Sequence, residues 1–280
     1  MKLVINCDDN NGVGLNKKNY LMNALCPGNV ELVSWTPQIG AEAEYLLNIE
    51  PYTFKQGKKW TGVWEIDLLL DRQEMSETNW ALSDTIFTAI STIPDRLQKY
   101  KDKTRLLFQA VDPTIHKVYD VPKECDIAFS GDMHSPVYTE RERVYNILKK
   151  NYNFKGFDKT NTANYIKNIN SARIQFIRSM STPLNDGELA QRFFECLAIG
   201  PVVTNYVDDL KHTGLVESVD YFAYKNDDEM ILKINHLLQN PEFAQTMAEN
   251  GRKKAQLYHT YSHRLATILQ TIYDFNNNSN

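Results

Sequence analysis

GELAQRFFECLAIGPVVTN, residues 187–205, is the stretch whose reading decides the fold. An apolar helix runs directly into a Pro-Val-Val strand, the junction expected of alternating helix and parallel strand. Within it Glu188, Gln191, Arg192 and Glu195 follow i, i+3, i+4, i+7 spacing and share one face, with Phe193 and Leu197 on the other. Glu195 therefore has two readings. It is either a solvated residue on a wet face, with an Arg192–Glu195 ion pair worth ~0.5 kcal/mol, or a carboxylate aimed at something bound where helix and strand meet.

The same alternation continues on both sides of this stretch. CDIAFSG (125–131) reads as a buried strand, 139–152 as an amphipathic helix, 162–170 as a second helix and RIQFI (173–177) as a strand. After PVVTN the pattern gives a strand over 217–224, a helix over 227–238 opened by a capping Asp, and helices over 241–258 and 261–275. In the first half, strands are expected at 2–7, 30–35, 65–71, 84–90 and 104–110, and helices at 17–25 and 94–100, with 37–62 irregular. The class is α/β: two layered units with mostly parallel sheets and a cleft between them, and a break within the polar, Pro-containing segment 112–124.

Composition narrows the function. With 42% hydrophobic and 24% charged residues among 280, the chain suits a globular protein with one large or two modest cores. No apolar run approaches the ~20 residues of a membrane span, and MKLVINCDD enters a strand-like run without a secretory pattern. Cys7, Cys26, Cys125 and Cys196 form no C-x-x-C, so reduced thiols and a cytoplasmic location are expected. A net charge of −4 argues against a nucleic-acid binder that uses its whole surface.

Several local motifs carry chemistry. The loop DDNNGVGLNKK (8–18) follows the first strand, and Gly12 and Gly14 let backbone N–H groups approach an anion at a helix start. It lacks the third glycine of a dinucleotide fingerprint and the Lys-Ser/Thr of a Walker loop, and a plain strand-to-helix turn is the alternative reading. RSMSTPLNDGEL (178–189) occupies the matching place in the second unit, where ligands of open parallel sheets bind. Arg178 there suits a phosphate and the amides around Gly187 a cap, while Asn185-Asp186-Gly187 as a simple helix start is the alternative. Asp8, Asp9, Asp67, Asp112, His116 and His134 lie near strand ends or the boundary and are candidate bases or, individually, caps and turn residues. FKQGKKWTGVW (54–64) mixes Lys55, Lys58 and Lys59 with Trp60 and Trp64, a composition that grips and stacks nucleic acid or merely anchors a wet loop. His259 and His263 have helical metal-pair spacing without an evident third ligand, so no metal site is expected.

Taken in order, these motifs resemble the GT-B glycosyltransferases, most nearly the spore-maturation-type group and its relatives with a glycosyltransferase C-terminal domain. The likeness runs through DIAFSGDMHSPVYTERERV, RFFECLAIGPVVTN, DDEMILKINHLL and AENGRKKAQLYHTYSHRL, where Gly251, His259, Thr260, Tyr261 and Arg264 match the closing motif. It implies two Rossmann-like domains facing across a cleft: a shortened acceptor-side domain over 1–118, a nucleotide-sugar domain over 119–262, and a C-terminal helix and frayed tail over 263–280, the C-terminal helices packing back toward the first domain. It assigns Glu195 to the donor ribose hydroxyls and Arg178 and the loop before its helix to the diphosphate. The donor side also takes Gly12, Gly14, Gly131, His134, Arg141, Gly187, Glu188 and Arg192. The base falls to Asp8 or Asp9, directly after the first strand.

The second glutamate that many family members carry eight residues before the ribose-binding one is replaced here by Gly187, with Glu188 one step off. A retaining mechanism is therefore not implied. The expected activity is metal-independent transfer from a nucleotide-sugar donor, UDP-linked as is usual among such enzymes, with no cofactor. The acceptor is open between a saccharide, a protein and a hydroxymethylated base in DNA. Lys58, Lys59, Trp60 and Asp67 are the acceptor-side candidates, and a compact phage-type DNA-modifying member fits the chain's size. The competing reading is a catalytically inactive GT-B-like protein that binds a nucleotide or a partner. An epimerase or phosphorylase on the same fold is a third.

Overall fold

The computed structural model describes residues 1–7, 12–51, 53–66, 73–131, 139–157, 162–179 and 189–278. The chain divides into two compact units, one formed by Met1–Gln109 with Tyr261–Asn280, the other by Ala110–Thr260.

The first unit is built on a parallel sheet of six strands: β1 (Lys2–Asn6), β2 (Glu31–Ser34), β3 (Tyr45–Ile49), β4 (Trp60–Glu65), β5 (Thr85–Thr88) and β6 (Thr104–Leu106), in the order β2-β1-β3-β4-β5-β6. Leu3, Val4, Ile5, Leu46, Leu47 and Val63 are closed to solvent, as the centre of a sheet covered on both faces requires. Helices α1 (Gly12–Met22), α2 (Pro37–Gly40) and α3 (Gln73–Ala81) and a 3-10 segment, Asp95–Lys103, make the described crossovers.

Gly12 and Gly14 belong to the first turn of α1, so the helix starts earlier than the spacing of its apolar residues predicts. Strand β4 begins at Trp60 rather than Glu65, because Trp60 and Trp64 both point into the core. Strand β3 lies in the segment expected to be irregular; its YLLNI run is short, with only Asn48 to mark it as more than a loop anchor. Asn48 satisfies that burial by accepting from Asn6 Nδ2 at 2.8 Å and donating to the Lys55 carbonyl at 2.9 Å.

The second unit carries a parallel sheet of five strands: β7 (Cys125–Ser130), β8 (Phe154–Phe157), β9 (Ala172–Ile177), β10 (Val202–Asn205) and β11 (Phe222–Tyr224), ordered β11-β10-β9-β7-β8. Helices α4 (Thr139–Asn151), α5 (Thr162–Asn170), α6 (Gln191–Leu197), α7 (Asp227–Gln239) and α8 (Pro241–Tyr258) surround it. Ile127, Phe129, Val144, Leu148, Ile174, Phe176, Val203, Met230 and Ile234 form one core between sheet and helices. Asn226, not an Asp, caps α7, its side chain accepting from Glu229 N at 2.9 Å. Strand β11 is shorter than predicted, since residues 217–221 form a turn closed by the Val216–Asp220 hydrogen bonds.

The last helix, α9 (Tyr261–Asn278), returns to the first unit. Leu265, Ile268 and Ile272 are buried there, and buried Arg264 donates to the carbonyls of Phe108 (2.7 Å) and Gln109 (3.1 Å). Tyr261 sits against Tyr20 and Trp64, with ring centroids 5.2 and 6.3 Å apart.

The boundary therefore falls at Gln109, ahead of the expected 118/119, and the closing helix includes Tyr261 and Ser262. Segment 110–124 is bound to the second unit by hydrogen bonds. Val111 N donates to His259 O at 2.8 Å, and Asn170 takes Tyr119 N at 2.8 Å.

Candidate functional site

In the second sheet the chain runs from β7 outward to β8, then crosses back to place β9 on the other side of β7. The reversal makes β7 and β9 a topological switch point, and the crevice outside their carboxyl ends is where open α/β sheets bind ligands. The residues described at that edge are Ser130 at the end of β7 with Gly131 after it, and Arg178 and Ser179 after β9.

Two arginines converge there, and a third, Arg178, follows β9. Arg192 Nη1 donates to the Ser130 carbonyl. Arg141 Nη2 donates to the Arg178 carbonyl at 3.3 Å. Both guanidinium groups lie over the Phe129 ring, at 5.8 Å for Arg141 and 6.0 Å for Arg192. The Arg178 side chain acts on Asp227 and on the Tyr224 hydroxyl. Burial pushes that hydroxyl up in pKa, and Arg178 opposes the shift.

Gly131 has φ +154°, and a Cβ there would stand 2.0 Å from Arg192 Nη1, so only glycine lets the arginine close on the strand end. The base of the loop after β9 is tied twice. Ser179 N donates to Asn205 Oδ1 at 2.7 Å, and Ala190 N to Ser179 Oγ at 3.4 Å.

Helix α6 starts at Gln191, later than predicted, with Ala190 at its cap. Its polar face is not the solvated stripe that spacing alone allows. Gln191 and Arg192 are half-buried, and Glu195 is 4% exposed, low enough that a carboxylate must be paired. Arg192 turns to Ser130 instead of forming the expected ion pair. Glu195 Oε2 accepts from the Tyr165 hydroxyl at 2.7 Å and Oε1 from Gln191 Nε2 at 2.6 Å, while His116 Nε2 lies 3.3 Å from Oε1.

Burial raises the Glu195 pKa, but His116, Tyr165 and Arg192 outweigh it and hold the carboxyl below the ordinary value. Burial likewise depresses His116, and the facing Glu195 carboxylate more than restores it, leaving the imidazole raised. Tyr165 is pushed well up by burial, and Cys196, beside it at 3.9 Å, is pushed up to about 12 by burial, which leaves that thiol unreactive.

Sequence placed Glu195, Arg192, Arg141, Arg178 and Gly131 in the donor set, and the structure brings all five to unit two's β7–β9 edge or to α6 beside it. His116 was one of several candidate bases and is instead the buried partner of Glu195. Tyr165 was missed, and its only signal is an aromatic on the apolar side of α5. Asp112 is a turn residue, its Oδ1 accepting from Thr114 N at 2.9 Å and Thr114 Oγ at 2.6 Å. His259 packs on Phe194 with ring centroids 4.8 Å apart, and no group of three metal-ligating side chains occurs among the described residues. Asp8, Asp9, Asp67, His134, Gly187 and Glu188 lie outside the described residues.

The acceptor-side set needs correction. Trp60 is 0% exposed and donates its indole N–H to Thr85 Oγ at 3.2 Å, so it has no face to offer a base. Trp64 is equally buried and donates to the Leu107 carbonyl at 3.0 Å. Lys58 and Lys59 are exposed and paired with Glu42 and Glu44, at 2.7 and 2.8 Å. No helix among the described residues is long and apolar enough to cross a membrane.

The fold is matched by solved GT-B glycosyltransferases. The Anabaena protein HepE in complex with UDP and glucose aligns over 97% of this chain and 99% of its own, with TM-score 0.65 and 11% identity. A glycosyltransferase from Rickettsia africae aligns over 98% of both chains (TM-score 0.61, 10% identity). Sucrose-phosphate synthase from Thermosynechococcus elongatus aligns over 85% of this chain and 76% of its own (TM-score 0.55, 12% identity). No curated protein sequence matches the chain. The model of the glycosyl transferase-like family matches residues 115–270, which takes in the whole β7–β9 edge and the Glu195 cluster; the chain belongs to that family.

Proposed function

We propose that this protein transfers a sugar from a nucleoside diphosphate donor to an acceptor hydroxyl, with the donor held by the second unit. The observation that carries the reading is the convergence of Arg141 and Arg192 on the switch-point edge, where Arg178 follows β9, beside a glycine that a side chain would close. Guanidinium groups match phosphate oxygens in geometry and charge. A uridine donor is favoured by the HepE structures, which contain UDP or UDP-glucose.

Glu195 is assigned to the ribose. A carboxylate offers about four lone-pair sites, and two hydrogen-bond donors and the His116 imidazole surround Glu195; the remaining capacity goes to a ribose hydroxyl. The arginines supply positive charge to the leaving diphosphate, so we assign transfer without a divalent cation, and chelator should leave the rate unchanged. The base is assigned to Asp8 or Asp9 from their place after β1. The acceptor is a hydroxyl compound. A DNA acceptor would have to rely on Lys58 and Lys59 without aromatic stacking at Trp60, and its product formation would fall steeply with salt.

The test is thermal stabilisation of wild type and Glu195→Ala by UDP, GDP, ADP, CMP and TDP. A ligand at a hundred times its Kd adds ~2.7 kcal/mol to the folded state. Stabilisation by one nucleotide, lost in the variant, supports the reading. No stabilisation by any of them favours the alternative, an inactive member of the fold that binds another partner.

A further inference from the structure

Among the described residues, Glu195 has three close polar neighbours, and one of them, His116, can bring charge directly to its carboxylate. Tyr165 and Gln191 are neutral donors, and Arg192 is turned to the Ser130 carbonyl. His116 is 0% exposed and stands 3.3 Å from Oε1.

The ring's other nitrogen is set by the backbone of its own turn. His116 Nδ1 lies 3.1 Å from Asp112 O and 3.3 Å from Asp112 N. Charged, Nδ1–H donates to that carbonyl; neutral, Nδ1 accepts from that amide. Nε2 stands at ion-pair distance from Glu195 Oε1 without the geometry of a directed hydrogen bond, so what the turn fixes is the place of the ring, and with it of the ring's charge, beside the carboxylate. Among the described residues, the groups facing this ring are Glu195 from α6, Tyr165 from α5 with ring centroids 6.4 Å away, and Asp112 from its own turn. Cys196 lies behind Tyr165, and Arg192 acts on Glu195.

We propose that His116 is a positioning residue for nucleotide binding: it touches no ligand, and it fixes the Glu195 carboxylate in the orientation that receives the ribose. The proposal rests on the nucleotide-donor reading above. A buried ion pair is weak evidence for a purely stabilising role, because apolar replacements often fold as well or better. What an apolar replacement would not reproduce is the direction imposed on one carboxylate. That carboxylate lies one helical turn from Arg192, the residue that closes on Ser130 beside Gly131. With Glu195 unpinned, Tyr165 and Gln191 alone decide its rotamer.

The experiment is calorimetric titration of the full chain with UDP, GDP and ADP from about pH 6 to about pH 9, for wild type, His116→Gln and His116→Leu. Gln keeps a neutral donor; Leu removes donation altogether. The expected result is that His116→Leu weakens nucleotide binding about tenfold, the scale on which a side chain without ligand contact shifts affinity. His116→Gln, polar but uncharged, recovers only part of this loss. Wild-type affinity falls relative to His116→Gln as pH rises above 6.5 and the imidazole loses its charge; the Gln profile carries the titration of the nucleotide's own phosphate. In steady state the donor KM rises and kcat is retained.

If wild type binds UDP and neither His116 variant nor pH alters the affinity, the positioning role is wrong and the donor reading stands. If wild type binds none of the three nucleotides, the donor reading fails and takes this role with it. Should His116→Leu not fold, the His116→Gln comparison and the wild-type pH profile still decide.

Discussion

The hydroxyl of Tyr165 in α5 donates to Glu195 Oε2 in α6 over 2.7 Å, joining the helix before β9 to the helix after it. The bond gives a half-buried phenol and a buried carboxylate to one another. Tyr165→Phe keeps the ring and deletes the donor. Leaving a buried acceptor short of a partner costs ~1–3 kcal/mol, so the unfolding free energy from urea denaturation should fall by that amount. Nucleotide affinity should fall with it, because the carboxylate loses one of the bonds that orient it.

The His116–Glu195 pair gives stability a defined pH dependence. Glu195 is lowered in the fold, so its contribution is present above the unfolded value of 4.5 and lost as pH falls through the folded value. His116 is raised, so its contribution is complete below the unfolded value of 6.5 and lost as pH rises through the folded value. The pair therefore contributes most between 4.5 and 6.5. Melting temperature against pH should show wild type losing stability above 6.5 relative to Glu195→Gln. Parallel curves would contradict the pairing.

Gly131→Ala should disturb the anion edge and press on Phe129 beneath it, 3.0 Å from the added Cβ. Its added Cβ falls on Arg192 Nη1, and the φ of +154° is strained for any residue with a side chain. A cost of ~1–3 kcal/mol is expected from the backbone. Displacement of Arg192 should weaken UDP more than uridine, since the arginine is assigned to the diphosphate. Equal loss for both ligands would remove Arg192 from that role.

Trp60→Ala tests the correction to the acceptor side. Truncating a fully buried indole costs ~3–5 kcal/mol, so a large fall in stability is expected, whereas a surface stacking residue would leave stability near wild type. Lys58→Gln with Lys59→Gln should change stability by ~1 kcal/mol or less, because both ion pairs are exposed.

Much of the fold was legible because the signals are local. The β-branched runs of β1, β9 and β10 and the helical spacing of α7, α8 and α9 each carry their own period. The family likeness drew on the same kind of evidence, ordered motifs along the second half. Strand β8, FKGF, and strand β3, YLLNI, were missed because a short run has no period of its own and becomes a strand only through the neighbour it pairs with.

The sequence by itself determined the alternating α/β architecture and the second unit's order of elements apart from β8, and it set Glu195 and Arg192 on one polar face of an otherwise apolar helix. Only the tertiary structure decided that Trp60 faces inward and that His116 and Tyr165 meet at Glu195. The physical reason is that periodicity reports which face of an element is buried. Which residues meet depends on the order in which strands enter the sheet, and the crossover that puts β9 beside β7 brings His116, Tyr165 and Glu195 together from three separate elements.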